Sequence, residues 1–270
     1  MIDPKVQAEL RARYNPDGSD LRKMQLRMLD MLKYIDKICR ENNIKYWLSS
    51  GTCLGAVRHG GFIPWDDDCD IEMFSSDFKR LRRAIINDSN SSFVWQDHST
   101  DSAYLAPYAK LRDTKSILNE VTYNDIHYKF HGIYIDIFTI SPSRSRLLKR
   151  IGNRIQILGL FKLNLIKNRK LRQFLIFTNW RLIHYCIFPL LNLPDRIFTS
   201  KDQYRHVIGS LFLKPRQKSS IGDTKRVLFE GCLFPIPDDS HKYLSMIYGN
   251  YNDLPDLNTI HPHISSISIK

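Results

Sequence analysis

Several features that would place a chain in a special class are missing from these 270 residues. The N-terminal segment MIDPKVQAELRARY has no apolar stretch, so we expect no secretory signal. The five cysteines are odd in number, scattered and never spaced as C-x-x-C. This usage argues against a disulfide framework or a zinc site and favours reduced thiols in a cytosolic compartment. No internal repeat or low-complexity tract is visible in the sequence.

Acidic residues are missing from one long stretch, Ile137 to Pro194, of a chain whose formal net charge is +12. The same stretch contains the bases Arg144, Arg146, Lys149, Arg150, Arg154, Lys162, Lys167, Arg169, Lys170, Arg172 and Arg181. Apolar residues run between them in LLKRIGNRIQILGLFKLNLIKNRKLRQFLIF, a pattern typical of basic amphipathic helices. Such helices lie on anionic membrane surfaces or hold anionic substrates, although the solvated face of a helical subdomain has the same composition.

Two other interpretations of this basic stretch find little support. Its most apolar part, FLIFTNWRLIHYCIFPLLNLP, is interrupted by Arg181, His184 and Pro189, so we do not expect it to span a membrane. No nucleic-acid-binding motif accompanies the charge, and nucleic acid is not an expected partner. A cytoplasmic protein, peripheral on the inner face of the cell membrane, is the localisation that the sequence favours.

The remaining composition, 43% apolar and 25% charged, is that of a globular protein large enough for one domain or two. Residues 20–43 have helical apolar spacing, with Asp20 as candidate N-cap, and a second helix is predicted over 75–88. Strands are predicted near 44–51, 68–74, 92–98, 108–114 and 132–140. Four segments follow from these patterns: an N-terminal extension at 1–19, an α/β core at 20–140, a basic amphipathic helical region at 141–215 and a C-terminal segment at 216–270 packing on the core.

The most unusual stretch is WDDDCDIEMF, in which four aspartates and one glutamate fall between Asp66 and Glu72. Carboxylates this close raise one another's pKa unless a cation neutralises them. If strand geometry begins near Asp66, one face carries Asp66, Asp68, Asp70 and Glu72, and the other carries Asp67, Cys69, Ile71 and Met73. Carboxylates so spaced can converge on Mg²⁺ or Mn²⁺, which would also hold substrate phosphates.

Two alternatives to a metal site are a calcium loop and a solvated acidic turn. An EF-hand is excluded because Ile71 and Asp77 stand where glycine and glutamate are required. A solvated turn fits poorly beside the apolar residues Trp65, Met73 and Phe74, which indicate that the run borders a core.

Two neighbouring features are compatible with a phosphate site. Gly51 and Thr52, in SSGTCLG, can offer backbone N–H groups and a hydroxyl at the start of a short helix, although Ser-Gly is more often a simple turn. Asp136 lies inside the apolar strand GIYIDIFTI, where a charge is costly unless it is paired or bound to a metal. A third metal carboxylate and a buried, hydrogen-bonded aspartate are equally good interpretations of Asp136 taken alone.

Together these motifs give a small-residue turn, a short helix, a D-x-D strand and a distant strand with a single aspartate. That order is similar to the nucleotidyltransferase fold of the polymerase-β type. The segment YWLSSGTCLGAVRHGGFIPWDDDCDIEM closely resembles the signature of the LicD family of phosphotransferases, which also resembles the fukutin-related proteins. KLRDT, GIYIDIF, FEGCLFPIP and YLSMIYGNYNDLP are further matches, so the resemblance covers about residues 20–256.

The resemblance implies an α/β fold with a polymerase-β-like mixed sheet and an added basic helical region. It also implies a metal-dependent enzyme that transfers phosphocholine from CDP-choline, or another phospho-substituent, onto a lipopolysaccharide, capsule or teichoic acid precursor. Carried over by position, Asp68, Asp70 and Asp136 would bind Mg²⁺ or Mn²⁺ and carry out catalysis. Asp136 would also accept the proton of the attacking hydroxyl.

Substrate-binding roles are predicted for residues around these acids. Gly51 and Thr52 would cradle the donor phosphates, and either Asp66 or Asp67 would support a metal ligand or orient the acceptor. Lys110 and Arg112 alternate in YAKLRDT and would bind phosphate from one strand face, unless both are solvated cations. The remaining predicted contacts are Arg58, His59 and Glu230, for which a turn cap or a plain surface residue are the alternatives.

The sequence leaves some questions open. IDIFTISP departs from the family's common IDIFPLD, so no later acid is assigned there, and His261 and His263 are candidate substrate contacts without a metal role. A choline head group would require an aromatic cage, for which Trp65, Tyr108, Tyr123 and Tyr248 are all candidates. Transfer of a nucleotidyl group to a protein or small molecule is an alternative reaction. A further alternative is a non-enzymatic membrane-surface protein in which the acidic run has a structural role.

Overall fold

The computed structural model describes residues 2–120, 127–143, 145–198, 202–257 and 264–269. The helices are α1 (Pro4–Tyr14), α2 (Asp20–Glu41), α3 (Ser50–Arg58), α4 (Ser75–Asn87), α5 (Arg146–Gly159), α6 (Arg169–Arg181), α7 (Phe188–Leu191), α8 (Leu193–Phe198), α9 (Lys218–Ile221) and α10 (Ser240–Tyr248). The strands are β1 (Trp47–Leu48), β2 (Asp70–Phe74), β3 (Phe93–Gln96), β4 (Ala109–Asp113), β5 (Ser116–Glu120), β6 (Tyr134–Pro142), β7 (Gln203–His206), β8 (Arg216–Gln217), β9 (Thr224–Phe229), β10 (Cys232–Pro237) and β11 (Ile264–Ile269). A 3₁₀ turn covers Phe161–Leu165, and a π-helical turn, Leu182–Ile187, joins α6 to α7.

A mixed sheet forms the centre of the molecule, with strand order β1–β2–β6–β4–β3. Strands β2 and β6 run parallel, and the other neighbours in this order are antiparallel. Strand β7 pairs with the end of β6 and also with β8. The α/β class with a mixed sheet is therefore confirmed, and the strands predicted near 68–74, 92–98, 108–114 and 132–140 are all present as β2, β3, β4 and β6.

Helix α2 covers the core with the apolar face that its sequence predicts. Met24, Met28, Leu32 and Ile35 recur at helical spacing and are at most 1% exposed. Burying each such side chain contributes about 1.5–3 kcal/mol. The N-cap is Ser19 rather than the predicted Asp20, because the Ser19 hydroxyl accepts a hydrogen bond from the Arg22 N–H at 3.2 Å.

The helices α5 to α7 pack around a second, smaller apolar cluster formed by Leu105, Leu160, Ile176, Ile183, Phe188 and Ile208. The helices of this region end at Phe198, and the chain then returns to the sheet as β7. The helical character predicted for 141–215 therefore does not extend over its last part. Residues 203–206 form β7 instead of helix. They pair with residues 140–142 of β6, whose backbone groups lie beyond the end of β4 and would otherwise lack that partner.

The C-terminal segment closes the core on the side of α3. The antiparallel pair β9–β10 buries Phe229 and Phe234, and α10 buries Tyr243 and Leu244. The Tyr243 hydroxyl donates to Glu72 Oε2 at 2.9 Å, which links α10 directly to β2. Distant parts of the chain thus hold the segment that carries the acidic run.

Candidate active site

Two aspartates on adjacent parallel strands define the centre of the candidate site. Asp70 begins β2, Asp136 is the third residue of β6, and the two are paired in the sheet register. The Asp70 N–H donates to Thr52 Oγ1 at 2.8 Å, and the Asp136 N–H donates to the Cys69 carbonyl at 2.9 Å. The backbone of both residues is therefore fixed, so their carboxylates are held beside one another at one place on the sheet.

The residues before Asp70 do not continue the strand. Residues 66–69 have no regular secondary structure, so the predicted alternation of faces from Asp66 onward is wrong. The turn at Pro64 and Trp65 breaks the extended geometry immediately before the acidic run. Asp66 and Asp68 approach Asp70 through this irregular loop instead, as the electrostatics below show.

The carboxylates of the run repel one another strongly. Burial raises the pKa of Asp66 well above its ordinary value, and the neighbouring Asp68 and Asp67 raise it further. Burial likewise raises the pKa of Asp70, with Asp68, Asp136 and Asp66 adding to the effect. Each of these groups is easier to ionise when a cation lies between them. The site is thus an acidic cluster that positive charge would stabilise.

Lys110 supplies part of that positive charge. It is the register partner of Asp136 in β4, and its Nζ lies 2.7 Å from Asp136 Oδ1. The same Nζ lies 3.1 Å from the centroid of the Tyr134 ring, a cation–π contact. Among the described residues, no donor makes a well-aligned hydrogen bond to the buried Asp136 Oδ1, because the ion pair with Lys110 is poorly directed. That oxygen has the capacity to bind a further cation.

These donors fit a hard divalent ion. Mg²⁺ and Mn²⁺ prefer carboxylate oxygens, and the cluster offers those of Asp66, Asp68, Asp70 and Asp136. Within the described part of the chain, no three acidic, histidine or cysteine side chains already stand in a coordinating arrangement. Binding an ion therefore requires these side chains to rotate towards one another, and the charge of the ion would offset the repulsion between the carboxylates.

A cavity of about 290 Å³ adjoins Asp136 and Lys110. Its wall includes the aromatic side chains Tyr104, Tyr108, Tyr128, Tyr134 and Phe212. Tyr108 was one of four aromatic candidates in the sequence, whereas Tyr134 was missed although it stands two residues before Asp136. Trp65 instead packs edge-on against Tyr14, and Tyr248 lies near the acidic run, where burial and then Asp70 raise its pKa. Tyr123 lies outside the described residues.

Gly51 and Thr52 lie in the first turn of α3, next to the acidic run. A Cβ at position 51 would come 3.0 Å from Asp66 Oδ2, so glycine permits the close approach of that carboxylate to the helix N-terminus. Thr52 is 2% exposed, and its hydroxyl accepts from the Asp70 N–H. The structure thus gives Thr52 a positioning contact with the acidic strand.

Arg58 and His59 are buried in a network that joins the two ends of the chain. Arg58 Nη1 donates to the carbonyls of Tyr251 and Asp253, each at 3.0 Å, and Arg58 Nε donates to His59 Nε2 at 2.9 Å. His59 Nδ1 lies 2.6 Å from Gln7 Oε1 in α1. Arg58 still acts on the site at a distance, because its charge offsets part of the rise that burial and the neighbouring aspartates cause in the pKa of Asp66.

Arg112 and Glu230 are engaged elsewhere. Arg112 is 1% exposed and donates to Gln96 Oε1 and to the Gly132 carbonyl. Its guanidinium lies 4.5 Å from the Tyr134 centroid, so Arg112 and Lys110 do share one strand face. Glu230 accepts from Arg22 Nη2 at 2.7 Å and from the Phe62 N–H at 3.1 Å. Asp67 contributes negative charge to the run, and His261 and His263 lie outside the described residues.

Glu72 is completely buried and accepts several hydrogen bonds. The alternation expected from the sequence placed it on one face with Asp66, Asp68 and Asp70. Its carboxylate accepts from Arg216 Nη2 at 2.7 Å and from Trp47 Nε1 at 3.1 Å, and lies 2.6 Å from His206 Nε2. Arg216 and His206 lower the pKa of Glu72 far below its ordinary value despite complete burial. Glu72 therefore has its own counter-charge and does not belong to the acidic cluster around Asp70.

His59 should make the protein less stable at mildly acidic pH. Burial, and then the Arg58 charge, lowers its pKa from 6.5 to about 4. Stability from a depressed histidine pKa is present above 6.5 and is lost as the pH falls towards 4, because the unfolded chain binds the proton more readily. We expect the free energy of unfolding to include a loss on the order of 2–3 kcal/mol over this window. Urea unfolding of the wild type and His59→Gln at pH 7 and pH 5 measures it, and an equal pH dependence in both proteins would contradict the assignment.

Comparison with known proteins identifies the relatives of this chain. The family model described as LicD/FKTN/FKRP, nucleotidyltransferase domain, matches residues 43–175. Lipopolysaccharide cholinephosphotransferase LicD of Haemophilus influenzae is 26% identical over 90% of this chain and 95% of its own length. Ribitol 5-phosphate transferase FKRP of Homo sapiens is 35% identical over 24% of this chain, which is 14% of that protein. Ribitol-5-phosphate transferase FKTN of Mus musculus is 40% identical over 20% of this chain, which is 12% of that protein.

The matched region contains β1 to β6, with Asp70, Lys110 and Asp136. The chain spans nearly all of the bacterial relative but only a small part of the two mammalian ones. The expected family is confirmed by both kinds of match, and so is the expectation of an enzyme. The chain belongs to the LicD/FKTN/FKRP family of transferases for substituted phosphate groups, whose nucleotidyltransferase-domain model matches residues 43–175.

Proposed function

We propose that this protein transfers phosphocholine from CDP-choline to a hydroxyl group of a cell-surface glycan precursor. The observation that carries the proposal is the pairing of Asp70 with Asp136 on adjacent parallel strands, beside Lys110 and an aromatic cavity. The relative matched over nearly its whole length is by name a lipopolysaccharide cholinephosphotransferase. FKRP and FKTN transfer ribitol 5-phosphate, so phosphoribitol is the competing head group.

The proposed reaction forms one bond and breaks one. The acceptor oxygen bonds to the phosphorus of the phosphocholine group, the bond from that phosphorus to the bridging oxygen breaks, and CMP leaves with the bridging oxygen. Asp136 takes the proton of the attacking hydroxyl, which its buried carboxylate can accept. Lys110 offsets negative charge on the transferred phosphoryl group, for which its position against Asp136 is suitable.

Mg²⁺ or Mn²⁺, when bound by Asp68, Asp70 and Asp136, would supply the charge neutralisation that phosphoryl transfer requires. The backbone at the start of α3, including Gly51, would bind donor phosphate near these acids. Asp67 would orient the acceptor. Arg58, His59, Arg112 and Glu230 would contribute by holding the surrounding loops, since each is engaged in the contacts described above.

The polymerase-β type of nucleotidyltransferase fold is part of the same proposal. In support, the D-x-D segment ends in the first residue of one central strand and the third acid lies on its parallel neighbour. The alternative reaction of that fold, nucleotidyl transfer, differs in which part of the donor reaches the acceptor. Release of CMP indicates phosphocholine transfer, and release of pyrophosphate from CTP indicates nucleotidyl transfer.

Donor binding tests this proposal before the acceptor is known. Calorimetry and thermal unfolding with CDP-choline, a CDP-linked ribitol and CTP, each with Mn²⁺ or with EDTA, compare the donors directly. We expect metal-dependent binding of CDP-choline, and about 2.7 kcal/mol of added stability at a hundredfold excess over Kd. Tighter binding of the ribitol donor would indicate that phosphoribitol is the group transferred. Tighter binding of CTP would favour nucleotidyl transfer. Equal donor binding with Mn²⁺ and with EDTA would contradict the proposal that the site depends on a metal.

A further inference from the structure

The helical region carries an exposed apolar surface that the proposed reaction does not use. On the continuous helical segment Arg169–Leu191, Leu171, Phe174, Leu182 and Tyr185 follow one another at intervals of three, eight and three residues, as expected for one helical face. We name these four residues the outer stripe. Phe174 is 62% exposed and Tyr185 is 72% exposed. Large side chains exposed contiguously in this way mark an interaction surface.

More exposed apolar side chains come from the preceding elements of the same region. Leu147 and Leu158 of α5 and Leu165 at the end of the 3₁₀ turn are each at least 60% exposed. The opposite side of the Arg169–Leu191 segment is packed, because Ile176, Ile183 and Phe188 belong to the second apolar cluster. The packed side of this segment is therefore held by the protein. The exposed side is free to be buried against another molecule or in lipid.

Two exposed bases share the face of the outer stripe. Lys170 lies four residues before Phe174, and Arg181 lies seven residues after Phe174 and four before Tyr185. The Arg181 guanidinium is 3.8 Å from the centroid of the exposed Phe177 ring, so this charge lies directly against apolar surface. Apolar side chains next to clustered bases are the combination that binds anionic lipid, by burial of the first and attraction of the second to phosphate.

We propose that the outer stripe inserts into the interface of an anionic lipid bilayer, with Lys170 and Arg181 against lipid phosphate. The segment Arg169–Leu191 is long and apolar enough to cross a membrane by length and composition. Its packed side favours a position in the plane of the interface, because crossing would remove Ile176, Ile183 and Phe188 from their cluster. A second copy of this chain fits the surface less well, because the stretch from Ile137 to Pro194 holds no acid to oppose the partner's bases.

Vesicle sedimentation of the full chain tests this inference without any catalytic step. We expect binding to vesicles of phosphatidylcholine with phosphatidylglycerol, and weak binding to phosphatidylcholine alone. The double variant Phe174→Asp/Leu182→Asp should lower the partition coefficient on the order of a hundredfold, since two large apolar groups no longer insert. Lys170→Gln and Arg181→Gln should each lower it about fivefold on anionic vesicles only.

The matched control is Leu228→Asp/Leu233→Asp on β9 and β10, where both leucines are similarly exposed but lie outside the helical region. This control should bind vesicles as the wild type does. Thermal unfolding confirms that each variant is folded. Equal binding by the stripe variant and the control, or no preference for anionic vesicles, would overturn the proposal. A wild-type dimer that the stripe variant dissociates, without vesicle binding, would assign the surface to a second copy instead.

Discussion

Asp70→Asn and Asp136→Asn should each reduce turnover by about a hundredfold to ten-thousandfold. Asp136→Asn should also lower thermal stability, because the buried Lys110 loses this charged partner. Asparagine keeps the size of the side chain but removes the charge that would bind the metal and, at position 136, the group that accepts the proton. The stability of Asp70→Asn should equal or exceed that of the wild type in EDTA. The reason is that burial, and then repulsion by Asp68, Asp136 and Asp66, raises the pKa of Asp70, and a neutral amide avoids both costs of the charge.

CMP release and thermal unfolding, measured on the same preparations, separate catalytic from structural roles. Asp223→Asn is the matched control, because the Asp223 side chain is 95% exposed and its nearest base, Lys45, lies 3.7 Å away. It should change neither quantity. A large drop in melting temperature for Asp70→Asn, with activity retained within tenfold, would mean that the acidic run is structural.

Glu72→Ala should destabilise the protein by about 3–5 kcal/mol, the largest stability effect that we expect from a single substitution here. The substitution leaves the Arg216 guanidinium, whose side chain is 4% exposed, without its buried counter-charge. It also removes the acceptor used by Trp47 and Tyr243. Urea unfolding at pH 7 measures the loss of stability. Glu72→Gln should cost less, since the amide oxygen still accepts hydrogen bonds.

Asp30→Ala is the control for Glu72, because Asp30 pairs with Lys33 at 3.4 Å on the exposed face of α2. An exposed pair of this kind contributes at most about 1 kcal/mol. The Glu72 contribution also depends on pH: its depressed pKa means that the stability is present above the unfolded value near 4.5 and is lost as the pH falls below it. A Glu72→Ala protein that is as stable as Asp30→Ala would show that the network is not a structural anchor.

The sequence predicts the two central strands of the candidate site because local patterns define them. The apolar run around Asp136 gives β6, in which Asp136 is the one charged residue, and the run after Asp70 gives β2, which also carries Glu72. Lys110 follows from alternation in β4, where Arg112 shares its face. Family resemblance adds the reaction class and the expectation of a mixed sheet.

The contacts that surround this centre depend on residues far apart in the sequence, and no local pattern encodes them. Glu230 pairs with Arg22, and Arg58 donates to carbonyls near the C-terminus. Glu72 has the spacing of a site carboxylate, yet Arg216 neutralises it from a strand 144 residues later. Side-chain alternation also fails at Asp66, because a turn rather than a strand precedes Asp70. Such pairings are visible only once the tertiary structure is known.

The central position of β6 has a consequence for the order in which the protein can fold. Asp70 belongs to the pair β1–β2 and Lys110 to the pair β3–β4, and both pairs are synthesised before β6 leaves the ribosome. Strand β6 then joins them by pairing with β2 on one side and β4 on the other. Until that long-range step is complete, each half exposes an open strand edge that invites aggregation. The three charged groups of the site therefore meet only when the nascent chain has extended well past Tyr134.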